Sequence, residues 1–215
     1  IVGRSQDLPG GLFNLPMLLE FALNDGKSRM TGKQAGPKTG DPRTFGCYDD
    51  LWKAFCRQVE YFTGPICVMS DIARSIFAEY LPLPYQDVFF DGPLEKGRDI
   101  FSGGTAPLAR QSYSLSGAPN VGDGLAAIKK VVFEDKKLTM DEVIDALDKN
   151  FEGCERELFL LSQAPKFGND DPYVDSIVDD VIVFCSKEAG KYVSYSGLPF
   201  KTAAATISSG TTRIW

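Results

Sequence analysis

Three groups of residues have types and spacings that could do chemistry. The first is the five cysteines, Cys47, Cys56, Cys67, Cys154 and Cys185. No two form a C-x-x-C pair, which removes zinc-ribbon and thioredoxin-type sites. The chain has no histidine, so it cannot assemble a Ser-His-Asp or Cys-His nucleophile, or a His-containing zinc or facial-triad site. An odd count without framework spacing fits reduced structural thiols. Cys56 and Cys67 fall in apolar helical stretches, where a thiol acts as a small hydrophobe.

The second group is acidic: Asn169, Asp170, Asp171, Asp175, Asp179 and Asp180. An EF-hand loop needs Gly at position six and Glu at position twelve, and neither register fits. Helix capping and a solvated face explain these residues better. The third group is the glycine-rich turn at 117–124, GAPNVGDG. Its amides precede a helix and could face a phosphate. The dinucleotide fingerprint spacing is wrong, so close packing of the helix on a sheet is the preferred account. There is no Walker A pattern and no G-x-S-x-G elbow. No catalytic residue and no metal ligand is therefore assigned, and the substrate-binding residues are left open.

Composition sets the frame for these groups. The chain has 215 residues, 43 % hydrophobic and 24 % charged, and can bury a real core. Lys plus Arg number 23 and Asp plus Glu 29, a net charge of −6, which argues against a broad nucleic-acid surface. No apolar run has the roughly 18 residues that a membrane span needs. There is no N-x-S/T acceptor and no signal peptide, so a cytoplasmic location is expected.

The elements that must position these residues read as follows. Residues 1–12 look like a loop, punctuated by Pro9, Gly10 and Gly11. A helix is predicted from about Pro16 to Asn24, capped by Asn14 and followed by Gly26, with Leu15, Leu18, Leu19, Ala22 and Leu23 as its stripe. Residues 25–46 carry Gly and Pro without periodicity and read as a long ordered loop. Residues 49–80 read as one or two helices with Asp49 as N-cap, broken or kinked at Gly64-Pro65 and ended by Pro82 and Pro84. Residues 85–97 are ambiguous between helix and strand, and a turn at Gly103-Gly104 follows. Strand alternation covers 109–116, and a helix covers about Val121 to Glu134. Thr139 to Glu142 is a capping box that opens a helix at Met140. A short helix covers about 154–163, and another opens at Asp171-Pro172 with Val174, Ile177, Val178, Val181 and Cys185 as its stripe. A further strand is expected within 192–207.

Strands are scarce for a complete α/β domain. The chain starts at Ile1 rather than Met, and Ser208 to Trp215 run to an apolar stop without a cap. A piece of a longer reading frame is the expectation. Its apolar stripes would then lack partners and promote association.

Three stretches, in order, resemble the glycyl radical enzymes, the pyruvate formate-lyase and glycerol dehydratase superfamily. They are NLPMLLEFALNDG with TGKQAGPKTGDPRTF, within residues 14–45; GAPNVGDGLAAIKKVVFE, 117–134, leading through LTMDEVIDALDKNFEG; and APKFGNDDPYVDSIV, 164–178. The resemblance implies an α/β, helix-rich chain, a partial slice of the family's ten-stranded α/β barrel. Residues 1–215 would form one pyruvate formate-lyase-like domain, incomplete at both ends. It implies a glycyl radical in the full enzyme, installed by a radical-SAM activase that carries an iron–sulfur cluster. The radical passes to a cysteine, and the thiyl takes a hydrogen atom from a small substrate. C–C, C–O or C–N cleavage follows, and the dehydratase and lyase members are favoured over pyruvate formate-lyase proper. A homodimer is implied for the full-length protein, with no nucleic acid and no membrane.

Carried over residue by residue, the family's reactive groups have no counterpart here. Its cysteine lies in a G-C-x-E-like loop shortly before an N-x-x-x-x-L-E helix. That helix here contains Leu19-Glu20, which puts the loop before Ile1, and none of the five cysteines matches. Cys47 stands in FGCYDDLW, where the family begins a helix. The R-V-x-G-Y/F radical-glycine motif is absent, and Gly210 in SSGTTRIW does not match it. Many members carry a Tyr after the G-G turn, where this chain continues Thr105-Ala106-Pro107. No cofactor is expected in this segment, which alone would be inactive. Two other readings stand beside it: a non-enzymatic helical interaction module, if the 215 residues are the whole protein, and an unrelated helical cofactor-binding domain built on the 117–124 turn.

Overall fold

A computed structural model describes residues 8–105, 111–195 and 197–205. They gather in two compact units. A helical unit comprises Asn14–Phe62 and Gly117–Phe184. A sheet unit comprises Ile1–Phe13, Thr63–Ser116 and Cys185–Trp215. Ile1, Ala106, Pro107, Gly210 and the Ser208-to-Trp215 tail lie outside the described residues, as do 109–110 and 206–207 of the two expected strands.

In the helical unit, α1 spans Leu15–Ala22. The Asn14 side chain caps it by accepting from the Met17 N–H at 3.3 Å, and Leu15, Leu18, Leu19, Ala22 and Leu23 are all buried. Helix α2 spans Tyr48–Tyr80, α5 Ala118–Ile128, α6 Met140–Asp148, α7 Glu155–Ser162 and α8 Pro172–Ala189; residues 63–80 of α2, 185–189 of α8, and the short α3, Pro84–Asp87, and α4, Pro93–Lys96, belong to the sheet unit. Thr139 and Glu142 form the expected capping box of α6. Asp171 caps α8 by accepting from the Tyr173 N–H at 2.9 Å, and the whole Val174-to-Cys185 stripe is buried.

Small residues set how closely these helices approach. A Cβ on Gly117 would stand 2.6 Å from the Pro16 ring, and one on Gly124 3.1 Å from Leu19 Cδ2. One on Gly122 would collide with Val178 of α8. The glycines of the 117–124 turn therefore serve close packing as expected, but of helix against helix rather than of helix on sheet.

The 25–46 loop is ordered because polar contacts replace periodicity. The Asp25 carboxylate accepts from the Thr39 and Gly40 N–H groups at 2.8 and 2.9 Å. Fully buried Gln58 donates to the Pro37 carbonyl at 2.8 Å. Arg43 pairs with Asp141 at 3.1 Å and Asp145 at 2.6 Å on α6, and Arg29 pairs with Asp148.

In the sheet unit, β1 is Leu8–Asn14, β2 Gln111–Ser116 and β3 Lys201–Ala205, in spatial order β1-β2-β3. β2 and β3 are parallel, in register from Ser112↔Lys201 to Ser116↔Ala205.

Several sequence expectations need correction. Leu8 to Leu12 are strand, not loop, because sheet pairing outweighs the turn preference of Gly10 and Gly11. Asp49 does not cap α2. Asp50, inside the first turn, does so by accepting from the Gly46 and Cys47 N–H groups at 3.0 and 3.2 Å. Helix α2 is not broken at Gly64-Pro65 but runs on through Pro65. Proline there forfeits one backbone bond, while buried residues on both sides, Phe55, Val59 and Cys67, hold the helix. The α5 helix starts three residues early, at Ala118 with Pro119 in its first turn. It passes at Lys129–Glu134 into a π turn, seen in the Asp135 N–H bond to the Lys130 carbonyl at 2.7 Å.

Two outcomes follow. Gly122→Ala should destabilise the protein by about 1–3 kcal/mol through overpacking, read as a lower urea midpoint at unchanged m-value. On α2, Val68, Met69, Ile72 and Ile76 are exposed apolar residues at helical spacing. The 215-residue chain should therefore self-associate and bind a hydrophobic dye. Ile72→Glu with Ile76→Lys should shift it toward monomer in sedimentation velocity, whereas an unchanged distribution would clear this face of the effect.

Candidate functional site

The cysteines do not form a reactive centre. Cys67, Cys154 and Cys185 are buried, Cys56 is half-buried and Cys47 is exposed ahead of α2. Burial pushes the Cys67 and Cys185 thiols up to about 12. They stay protonated near neutral pH, the reverse of an activated thiolate. The acidic residues around 169–180 cap and solvate α8. No group of three or more candidate ligands that could hold a metal ion occurs among the described residues.

The sheet unit offers a better candidate. Alternation along β2 sends Gln111, Tyr113 and Leu115 to one face and Ser112, Ser114 and Ser116 to the other. Helices cover the first face. The Phe13 ring meets Tyr113 edge-on at 5.3 Å, and Ser186 of α8 bonds the Thr202 hydroxyl at 2.5 Å. Tyr113 is fully buried there, near Thr63 of α2, and burial raises its hydroxyl far above the ordinary phenol range.

The second face is different. In the parallel register, Lys201 and Ala203 lie beside Ser112 and Ser114; Lys201 and Ala203 are exposed, whereas Ser112 is buried. Ser114 and Ser116 are half-buried, and Leu12 of β1 is 55 % exposed. Two partly open hydroxyls, Ser114 and Ser116, spaced by about 6.6 Å, two residues of strand rise, are flanked by small or aliphatic side chains. Each hydroxyl can donate and accept. Lys201, at one end, is the ionisable group among these residues. Such a wall can orient a small hydroxylated molecule, with Lys201 as a charged group at its end.

Sequence reading placed a strand here but did not single out these serines. The available signal was the period-two S-x-S-x-S pattern in QSYSLS. Which face stays open depends on where α2 and α8 pack, which the strand's own residues do not specify.

Residues 1–212 match the family described as pyruvate formate lyase-like. The trans-4-hydroxy-L-proline dehydratase of Clostridioides difficile is 39 % identical over 180 residues, which are 83 % of this chain and 23 % of that enzyme. Its solved structure superposes with a TM-score of 0.81 at 35 % identity, covering 89 % of this chain and 24 % of that one. The isethionate sulfite-lyase of Bilophila wadsworthia is 36 % identical over 191 residues, 88 % of this chain and 23 % of the enzyme. A glycyl radical enzyme from Archaeoglobus fulgidus gives a TM-score of 0.77 at 29 % identity, covering 89 % of this chain and 24 % of that one. The chain thus spans about a quarter of the length of these relatives.

The raised thiols set a pH dependence. Cys67 and Cys185 titrate near 9.0 when unfolded and about 12 when folded. Above the unfolded value the unfolded chain has lost protons that the folded chain keeps, so alkali favours unfolding. Their contribution should be intact below about pH 8.5 and decline as pH rises from 9 toward 12. Iodoacetamide with mass spectrometry at pH 8 should label Cys47 first and leave Cys67 and Cys185 unmodified until denaturant is added. Early labelling of either buried thiol would contradict this.

Proposed function

Because the chain belongs to the pyruvate formate lyase-like family of glycyl radical enzymes, we propose that it acts within a glycyl radical lyase or dehydratase. There it would supply part of the wall of the reaction chamber. The reaction proposed is abstraction of a hydrogen atom from a small substrate, followed by cleavage of a C–O, C–C or C–N bond. The reacting cysteine and the radical glycine would belong to polypeptide that this chain does not contain.

The observation that carries the reading is the hydroxyl-lined face of β2. A radical enzyme needs walls that orient substrate without surrendering an electron or hydrogen atom of their own, since the radical does the chemistry and the protein positions and shields it. Ser114, Ser116, Ala203 and Leu12 contain no thiol, thioether, phenol or indole. Tyr113, the readily oxidised residue of the strand, is buried on the other face. Hydroxyls suit a hydroxylated substrate, which supports dehydration as the first outcome to test.

The partners proposed are a radical-SAM activase, which would install the glycyl radical in the full-length enzyme, and a second copy of that enzyme. A cytoplasmic location is proposed as well. No described helix is long and apolar enough to cross a membrane.

Full-length protein, incubated anaerobically with its activase and S-adenosylmethionine, should develop a glycyl radical signal by electron paramagnetic resonance. It should then turn over a small hydroxylated substrate, for which trans-4-hydroxyproline, isethionate and glycerol are the first probes. Ser114→Leu should leave the radical yield unchanged and lower kcat/KM by about 10-fold or more, as expected when a positioning hydrogen bond is lost. Absence of any radical signal would overturn the proposal. A normal signal with unaltered kinetics in Ser114→Leu would remove the serine face from the chamber.

A further inference from the structure

Within the helical unit, the loop before α2 and the first turns of α2 enclose a groove of about 450 Å³. That is within the range of small-molecule sites. It plays no part in the reaction proposed above. Three cations line it: Lys38 from the loop, and Lys53 and Arg57 from α2. Lys53 and Arg57 are four residues apart on one exposed helix face. Like charges so placed repel in the absence of an anion. The whole chain carries a net charge of −6, so this concentration of positive charge runs against its average.

The carboxylates nearby are engaged elsewhere. Asp50 also lines the groove, but its Oδ2 accepts from the Gly46 and Cys47 N–H groups. Those bonds hold its carboxyl below the usual range, with the Lys53 charge a lesser contribution. Arg57 shares one guanidinium nitrogen with Glu60 at 3.1 Å. Neither Lys38 nor Lys53 has an ion pair among the described residues. Thr39 and the half-buried Phe45 also line the groove, although the Thr39 hydroxyl itself is buried. The positive end of the 33-residue α2 lies at the same place.

We propose that this groove binds a phosphate monoester carrying a planar base, that is, a mononucleotide. Lys38, Lys53 and Arg57 neutralise the phosphate, and the base stacks on Phe45. Cations alone would suit any anion. The phenyl ring beside them is what selects an aromatic phosphate ester.

Isothermal titration of the full-length protein at low salt tests this with three probes: AMP, adenosine and inorganic phosphate. AMP should bind with 1:1 stoichiometry, at least about 10-fold tighter than either adenosine or phosphate, because only it engages both halves of the groove. Lys53→Gln with Arg57→Gln should weaken AMP at least 10-fold while leaving adenosine unchanged. Phe45→Leu should weaken AMP several-fold while leaving phosphate unchanged. Both changes lie on the surface of the unit, and far-UV circular dichroism of each variant checks that it folds. Equal affinity for phosphate and AMP would overturn the nucleotide assignment and leave a plain anion patch. No saturable AMP binding, or AMP binding indifferent to the double variant, would overturn the site itself.

Discussion

The parallel pairing of β2 with β3 is the constraint on which the rest of this structure depends. A parallel pair cannot close through a tight turn, and its second strand must return by a long crossover. Here that crossover is residues 117–200, which hold α5, α6, α7 and α8. The register, Ser112 against Lys201 through Ser116 against Ala205, fixes which side chains share a face. A slip of one residue would turn Tyr113 and Leu115 toward the open side and bury the serines. The buried bulk of Tyr113 and its edge contact with Phe13 oppose such a slip.

The crossover helices hold together by close approach. Gly117 lets the start of α5 sit against the Pro16 ring, and Gly122 lets α5 meet Val178 of α8. The same glycines could have cradled a phosphate at the start of a helix, but the space their missing side chains leave is filled by protein. The long 25–46 loop gains order in another way, from Asp25, Gln58 and the arginine clamps on α6. The clamps are partly exposed ion pairs, each worth little. Asp25 and buried Gln58 instead satisfy backbone groups of the loop, and leaving such groups unpaired costs more than an exposed pair contributes.

These features separate oxidisable side chains from the open face of the sheet. Thiols and phenols that could be oxidised, Cys67, Cys185 and Tyr113, are buried under helices, with their protons held tightly. Serine and alanine line the side left open. The chain covers about a quarter of the length of its relatives.

Local signals were enough for most helices. Asn14, the Thr139-to-Glu142 box and Asp171-Pro172 each announce a helix start, because a cap is an interaction between residues three or fewer apart. Apolar stripes such as Val174 to Cys185 name a buried face, because helical periodicity is a property of the chain itself. The packing role of the 117–124 glycines and the three family-like stretches were legible for the same reason. Other features depended on partners distant in sequence. β1 forms through Gly10 and Gly11 because β2 lies alongside it, and α2 continues past Pro65 because both its halves are buried. The open serine face exists because α2 and α8 cover the opposite one. The sequence determined which residues could cap, pack and pair; tertiary structure alone decided which face of β2 remained free, since that depends on where helices far along the chain come to rest.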